Sequence, residues 1–178
     1  MKLKKEESTY VSPKVGLTHG VITSYVTVGT TDDKFNPGKT KSEVMIVITL
    51  VKQHQSFDDD REPEMLTISK WFRASLNEKS NLYKFVSSLM KIEDEFDLDT
   101  LLGVNCMVHL VAHKKDNGDE TIIINSVAPL MEGTDAIELE TFKFDFEDFK
   151  EVEFEALSDR MQERIKLTPE WKAISYPA

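Results

Sequence analysis

The chain has 178 residues, is 40 % hydrophobic and carries a formal net charge of −10. This length holds one ordinary domain with extensions, and the hydrophobic share can bury a core, which excludes wholesale disorder. A single cysteine, Cys106, excludes an internal disulfide and a cysteine-based zinc cluster, and no window approaches the roughly 18 consecutive apolar residues of a membrane helix.

The start, "MKLKKEESTY", is charged and lacks the apolar run of a secretory signal, so a reducing cytoplasm is the expected compartment. Residues 1–14 read as a flexible polar arm ending near Pro13. The acid is unevenly spread: residues 133–178 hold 12 of the 32 Asp and Glu but only 6 of the 22 Lys and Arg. Six of the ten excess negative charges therefore fall in the last quarter of the chain.

The domain proper is expected at 15–132. "GLTHGVITSYVTVG" is rich in Val, Thr and Tyr and reads as a strand, with Gly20 as a bulge or sharp bend. "TTDDKFNPGKTK" is a long loop. "SEVMIVITLV" is the clearest strand. Val44, Ile46, Ile48 and Leu50 share one face, Met45, Val47 and Val51 point the other way, and two apolar faces imply a central position. After a polar, acidic turn containing Asp58-Asp59-Asp60 comes a third strand, "MLTISKWFRAS". Alternation puts Leu66, Ile68 and Phe72 on one face and Thr67, Ser69, Trp71 and Arg73 on the other. Lys70 shares the parity of Phe72 and must snorkel or sit at the rim.

In "SNLYKFVSSLMK" the period changes. Leu82, Phe85, Val86 and Leu89 form a helical stripe behind Ser80 as N-cap. "EDEFDLDTLLG" reads as an acidic turn and a short helical turn stopped by Gly103. "NCMVHLVAH" and "ETIIINSVAPL" are two more strands joined by a turn containing Asn117-Gly118, a hairpin signal. Residues 133–178 then interleave Phe with Asp and Glu and end in two short helices. Thr168 and Pro169 mark the start of the second. This stretch is expected to be an acidic, Phe-rich extension, a tail or thin layer with no second core.

Three strands, a helix and two strands are the element order of the OB-fold, a five-stranded Greek-key barrel. Other small barrels and α+β sheets share that order. The expected fold class is therefore mainly β, an OB-fold-like barrel with one helix between strands 3 and 4.

That fold takes oligonucleotides or oligosaccharides on the face of strands 2 and 3 and between the loops joining strands 1–2 and 4–5. Trp71 and Arg73 lie together on that face, with Lys70 at its margin. A base stacked on an aromatic ring gains roughly 1–3 kcal/mol whatever its sequence, and Arg pairs with phosphate or stacks on a base. The first loop supplies Lys34, Phe35, Lys39 and Lys41, and the second Lys114 and Lys115. Against this, lysines are common in solvated loops, Trp71 can equally serve as cover for the barrel, and Asp32, Asp33, Asp116 and Asp119 share the same loops.

His109 and His113 form HxxxH, but on a strand they lie about 13 Å apart and cannot share one ion. Asp58-Asp59-Asp60 lacks the interleaved spacing of a calcium loop. Cys106 reads as a buried strand residue. With no Ser/His/Asp signature and no phosphate-cradling glycine loop, neither an enzyme, a metal nor a cofactor is expected. In the extension, Phe142, Phe144, Phe146 and Phe149 either pack on the barrel, accompany a flexible acidic segment competing with DNA, or dock a partner protein; partial packing is favoured because so many rings are costly to expose.

"ISKWFRASLNEKSNLYKFVSSL", "FDLDTLLGVNCMVHLVAHKKDNGDETIIINSVAPLMEG" and "FEALSDRMQERIKLTPEWKAI" resemble a family of small proteins from the replication and recombination regions of tailed bacteriophages and prophages. Members are sometimes described as OB-fold single-stranded DNA-binding proteins. The likeness spans most of residues 15–175, and its recognisable pieces (Glu78-Lys79-Ser80-Asn81-Leu82, Leu101-Leu102-Gly103, Pro129-Leu130) are mostly structural. The resemblance implies sequence-tolerant single-stranded DNA binding during phage replication or recombination in a bacterial cytoplasm. Phage or host replication proteins would be partners of the acidic extension, and no catalytic residue carries over. The alternative expectation is a protein-interaction module, an adaptor or inhibitor, on a barrel that does not bind nucleic acid.

Overall fold

The structure, a computed structural model, describes Met1 and residues 11–56 and 62–175. Most of the expected N-terminal arm, and Asp58-Asp59-Asp60, lie outside the described residues. Where the arm's end is described it is docked: Pro13 is buried and the Lys14 N–H donates to Gln53 Oε1.

The molecule is mainly β. Strand β1 (Gly16–Asp32) is long enough to serve two neighbours. Its first part, Gly16–Val21, pairs antiparallel with β4 (Asn105–Lys114), and Gly20–Asp32 pairs antiparallel with β2 (Thr40–Gln55). β3 (Glu64–Arg73) pairs with the other side of β2, and β5 (Glu120–Pro129) with β4, giving the order β3-β2-β1-β4-β5. β2 is central, as its two apolar faces require. Edge strands β3 and β5 approach each other, and Lys70 Nζ donates to the Ile124 carbonyl at 3.2 Å across that seam.

Gly20 is needed for a different reason from the expected bulge. A Cβ there would stand 2.6 Å from Ile48 Cγ2 and 2.7 Å from Val108 Cγ2, because β2 and β4 both close on β1 at this point. The register shifts fall later, between Ile22 and Ser24 and between Thr27 and Gly29. Gly29 has φ +96°, a backbone state that suits glycine, and faces Thr168 and Glu170.

One hydrophobic cluster lies beneath the sheet. It joins Ile22, Tyr25, Val44, Ile46, Ile48, Leu66, Phe72, Val108 and Ile124 to helix α1 (Asn81–Ser87). The α1 stripe Leu82, Phe85 and Val86 is buried there, with the Phe85 ring 5.0 Å from Phe72. Ser80 caps the helix by accepting from the Tyr83 N–H, as its position before the stripe suggests. A 3-10 turn at Leu98–Leu101, capped by Asp97, returns the chain to β4.

The extension departs from expectation. It carries a sixth strand, β6 (Phe142–Phe144), parallel to Ser24–Val26 of β1, and three helices, α2 (Glu151–Glu155), α3 (Asp159–Lys166) and α4 (Pro169–Ser175). Together these close a second cluster on the opposite face of β1, formed by Val26, Val28, Phe144, Phe154, Met161 and Ile165. An extension with a buried cluster of this kind is more than a tail. Fully burying one Phe side chain is worth roughly 1.5–3 kcal/mol. No described helix is long and apolar enough to cross a membrane.

Candidate nucleic-acid interface

β3 alternates as its sequence dictates. Leu66 and Phe72 are buried, while Trp71 and Arg73 face outward, roughly 6.6 Å apart along the strand. The register sets Trp71 opposite Met45 and Arg73 opposite Glu43. Trp71 stays 37 % exposed, and the guanidinium of Arg164, from α3, lies over its ring 4.6 Å from the centroid. Arg164 is held by Glu43 Oε1 at 3.0 Å. Glu43 is itself almost fully buried and accepts from Thr31 Oγ1 at 3.0 Å, with Lys41 Nζ at 3.5 Å.

Arg73 Nη2 donates to Asp33 Oδ2 at 2.8 Å. The buried Asp33 also accepts from the Asn36 side chain at 2.8 Å and the Phe35 N–H at 3.0 Å. These donors, Asn36 first, then Phe35 and Arg73, hold its carboxyl below the usual carboxylate range. The hub ties the β1–β2 loop to the end of β3 and presents Phe35, which is 89 % exposed. Lys34 and Lys39 flank it, both exposed.

The structure thus brings Lys34, Phe35, Lys39, Trp71 and Arg73 into one neighbourhood and adds Arg164. Lys41 joins with its charge engaged by Glu43. Lys114 and Lys115 are exposed but on the β4–β5 hairpin, beyond the opposite end of β1, since Leu110 pairs with Gly16 while Asp32 pairs with Thr40. Lys70 is a correction. Its ammonium points to the β3–β5 seam, lies 5.6 Å from the Phe72 ring centre, and is pushed below its ordinary pKa by burial, so it does not face the Trp71 surface.

Of the four phenylalanines considered for partner docking, Phe144 is buried and Phe142, Phe146 and Phe149 are half-buried against the same cluster. Phe144 is fully buried and meets Phe146 at 5.2 Å, Phe154 at 5.8 Å and Phe149 at 6.0 Å; Phe142 packs against the same cluster. Of the three readings, packing against the β-strands describes them.

Beside this surface runs a cleft of about 960 Å³, between the sheet's outer face, the 3-10 turn and the extension. Carboxylates dominate its lining: Glu43, Asp97, Asp99, Asp145, Asp148 and Glu170 are among them, with Lys143 as the cation. Tyr25 donates its hydroxyl to Asp99 and lies 3.1 Å from Asp145 Oδ2. Burial, then those carboxylates, push its phenol well above the ordinary range. Lys143 lies 2.8 Å from Asp99 Oδ2 and lowers that carboxyl's pKa, helped by Tyr25. Burial opposes the charge of Glu170, but donation from the Thr30 side chain and N–H prevails and its carboxyl sits below the usual range.

Nothing in the sequence alone marks Arg164, the Glu43 and Asp33 hubs, or the cleft. Arg164 follows Met161 by one turn in "SDRMQERIKL", and nothing in that spacing ties it to β3. Compared with known proteins, the chain matches no family model and no curated protein.

Proposed function

We propose that this protein binds single-stranded DNA without sequence preference, on the outer face of β2 and β3 of an OB-type sheet, and acts in phage replication or recombination without a catalytic step. The observation that carries the reading is the surface around Trp71: an exposed indole on β3, an exposed phenyl ring on the adjoining β1–β2 loop, and the cations Lys34, Lys39, Arg73 and Arg164 around them. Rings for stacking and cations for phosphate are the two parts such a surface needs. The strand order, with a helix between β3 and β4 and a long β1 shared by β2 and β4, supports the OB assignment. Against it stand the carboxylates of the neighbouring cleft, Asp145, Asp148 and Glu170 of the extension among them, and affinity is expected to be modest and salt-sensitive. The test is fluorescence anisotropy of labelled dT oligonucleotides at low and moderate salt. Binding that weakens as salt rises supports the reading, and no binding at low salt ends it.

The acidic cleft favours a second reading, a protein-interaction module that takes a lysine- or arginine-rich segment of a replication or recombination protein. In that case a Lys-rich peptide binds with a steep salt dependence, Glu147→Lys with Asp148→Lys abolishes it, and dT oligonucleotides do not bind.

A further inference from the structure

The extension carries most of the chain's excess acid, yet the residue it sets on the Trp71 surface is a cation. Arg164 is placed there by two independent constraints. Met161 and Ile165, buried in the second cluster, fix the orientation of α3. Glu43, on β2, holds the guanidinium at 3.0 Å and is held in turn by Thr31 and Lys41. One side of the guanidinium faces the indole, while the Arg164 side chain remains 45 % exposed. A base could reach the covered part of the indole only by breaking a charge-assisted pair to a nearly buried carboxylate. It can reach the guanidinium without breaking anything, and a guanidinium plane is itself a stacking surface for bases.

We infer that Arg164 is a nucleic-acid-binding residue, the middle of a stack formed by the Trp71 indole, the Arg164 guanidinium and one base of the bound strand. The extension is then part of the DNA site and completes it, instead of competing for it. This rests on the single-strand reading above and deepens it. The guanidinium is pre-positioned by Glu43, so little ordering is required on binding. It adds both a stacking plane and a phosphate-range positive charge.

The experiment compares full-length wild type, Arg164→Ala and Arg164→Lys by anisotropy of a labelled dT oligonucleotide over a salt series. Arg164→Ala is expected to weaken binding by on the order of tenfold, and to flatten the log–log salt dependence by about 0.7. Arg164→Lys is expected to restore the salt slope but not the full affinity, because an ammonium is no stacking plane. A loss that came only from loosened packing of α3 would leave the slope unchanged. If Arg164→Ala fails to keep the wild-type far-UV circular dichroism, Arg164→Met, which retains an apolar stem over the indole, takes its place with the same expectation. Unchanged or tighter binding by the alanine or methionine variant, with wild type binding well, overturns the inference; tighter binding means that Arg164 covers the site. Absence of binding by wild type instead overturns the single-strand reading, and this inference with it.

Discussion

Arg73 Nη2 lies 2.8 Å from Asp33 Oδ2, and that pair joins the end of β3 to the loop between β1 and β2. Over half of the Arg73 side chain is exposed, whereas Asp33 is buried. The carboxylate fixes one edge of the guanidinium and leaves the rest toward solvent. Arg73→Ala is therefore expected to lower the melting temperature, because the buried Asp33 carboxylate keeps only Asn36 and the Phe35 N–H as donors. It should weaken dT binding and lower the salt slope by about 0.7, read from anisotropy at three or more salt concentrations.

Phe35 tests the loop directly. Its ring is exposed and its backbone is pinned by Asp33, so nothing in the fold depends on the ring. Phe35→Ala is expected to keep the melting temperature and to cost about 1 kcal/mol or more in dT binding, within the range of one lost stacking platform. Isothermal titration calorimetry beside a thermal melt separates the two.

Phe144 tests whether the extension belongs to the fold. It is fully buried between β1 and the helices and contacts three other phenylalanine rings. Phe144→Ala is expected to destabilise the protein by about 3–5 kcal/mol, measured by urea denaturation. A flexible acidic tail would give no change. Removing residues 133–178 would uncover Val26 and Val28, and that truncated chain is expected to aggregate.

Paired carboxylates in the loop hub and the cleft set the dependence on pH. Asp33, Asp99, Asp148 and Glu170 are all held below their ordinary values in the folded state, so each contributes stability that is present above its unfolded pKa and lost as pH falls through the folded one. The melting temperature is expected to be flat near neutrality and to fall below about pH 4. Tyr25 has the opposite sign. Its raised value stabilises the fold below about pH 10, and that contribution is lost as pH climbs above it. Tyr25→Phe should flatten the alkaline limb and, by removing a donor to Asp99, also soften the acid limb, whereas Asp99→Asn should soften the acid limb; both are read from melting temperature against pH.

Local signals in the sequence were reliable where one side chain decides the outcome. Ser80 before its helical stripe, the two apolar faces of β2, the outward Trp71 and inward Phe72, and Gly118 in the hairpin, at φ +89°, are all visible in short windows. What the windows could not hold is partnership across the chain. Gly20 is small because two strands converge on it, and Lys70 turns to β5 because the edge strands approach. Phe142–Phe144 forms a strand only by borrowing the free face and edge of β1. Arg164 meets Trp71 across more than ninety residues of sequence, brought there by a cluster whose aromatic members read as packed but whose position on the fold no short window gives.

The most direct measurement of the central claim is a titration of wild type and Trp71→Ala with a dT oligonucleotide of about 20 nucleotides, longer than the roughly 4–16 nucleotides of a single-strand binding site. Anisotropy of the labelled strand should be read at low salt. Wild type is expected to bind, and Trp71→Ala to bind with an affinity lower by about 1–3 kcal/mol at a temperature where circular dichroism shows both proteins folded. Equal binding by the two proteins, or none by wild type, would contradict a single-stranded DNA site on this face.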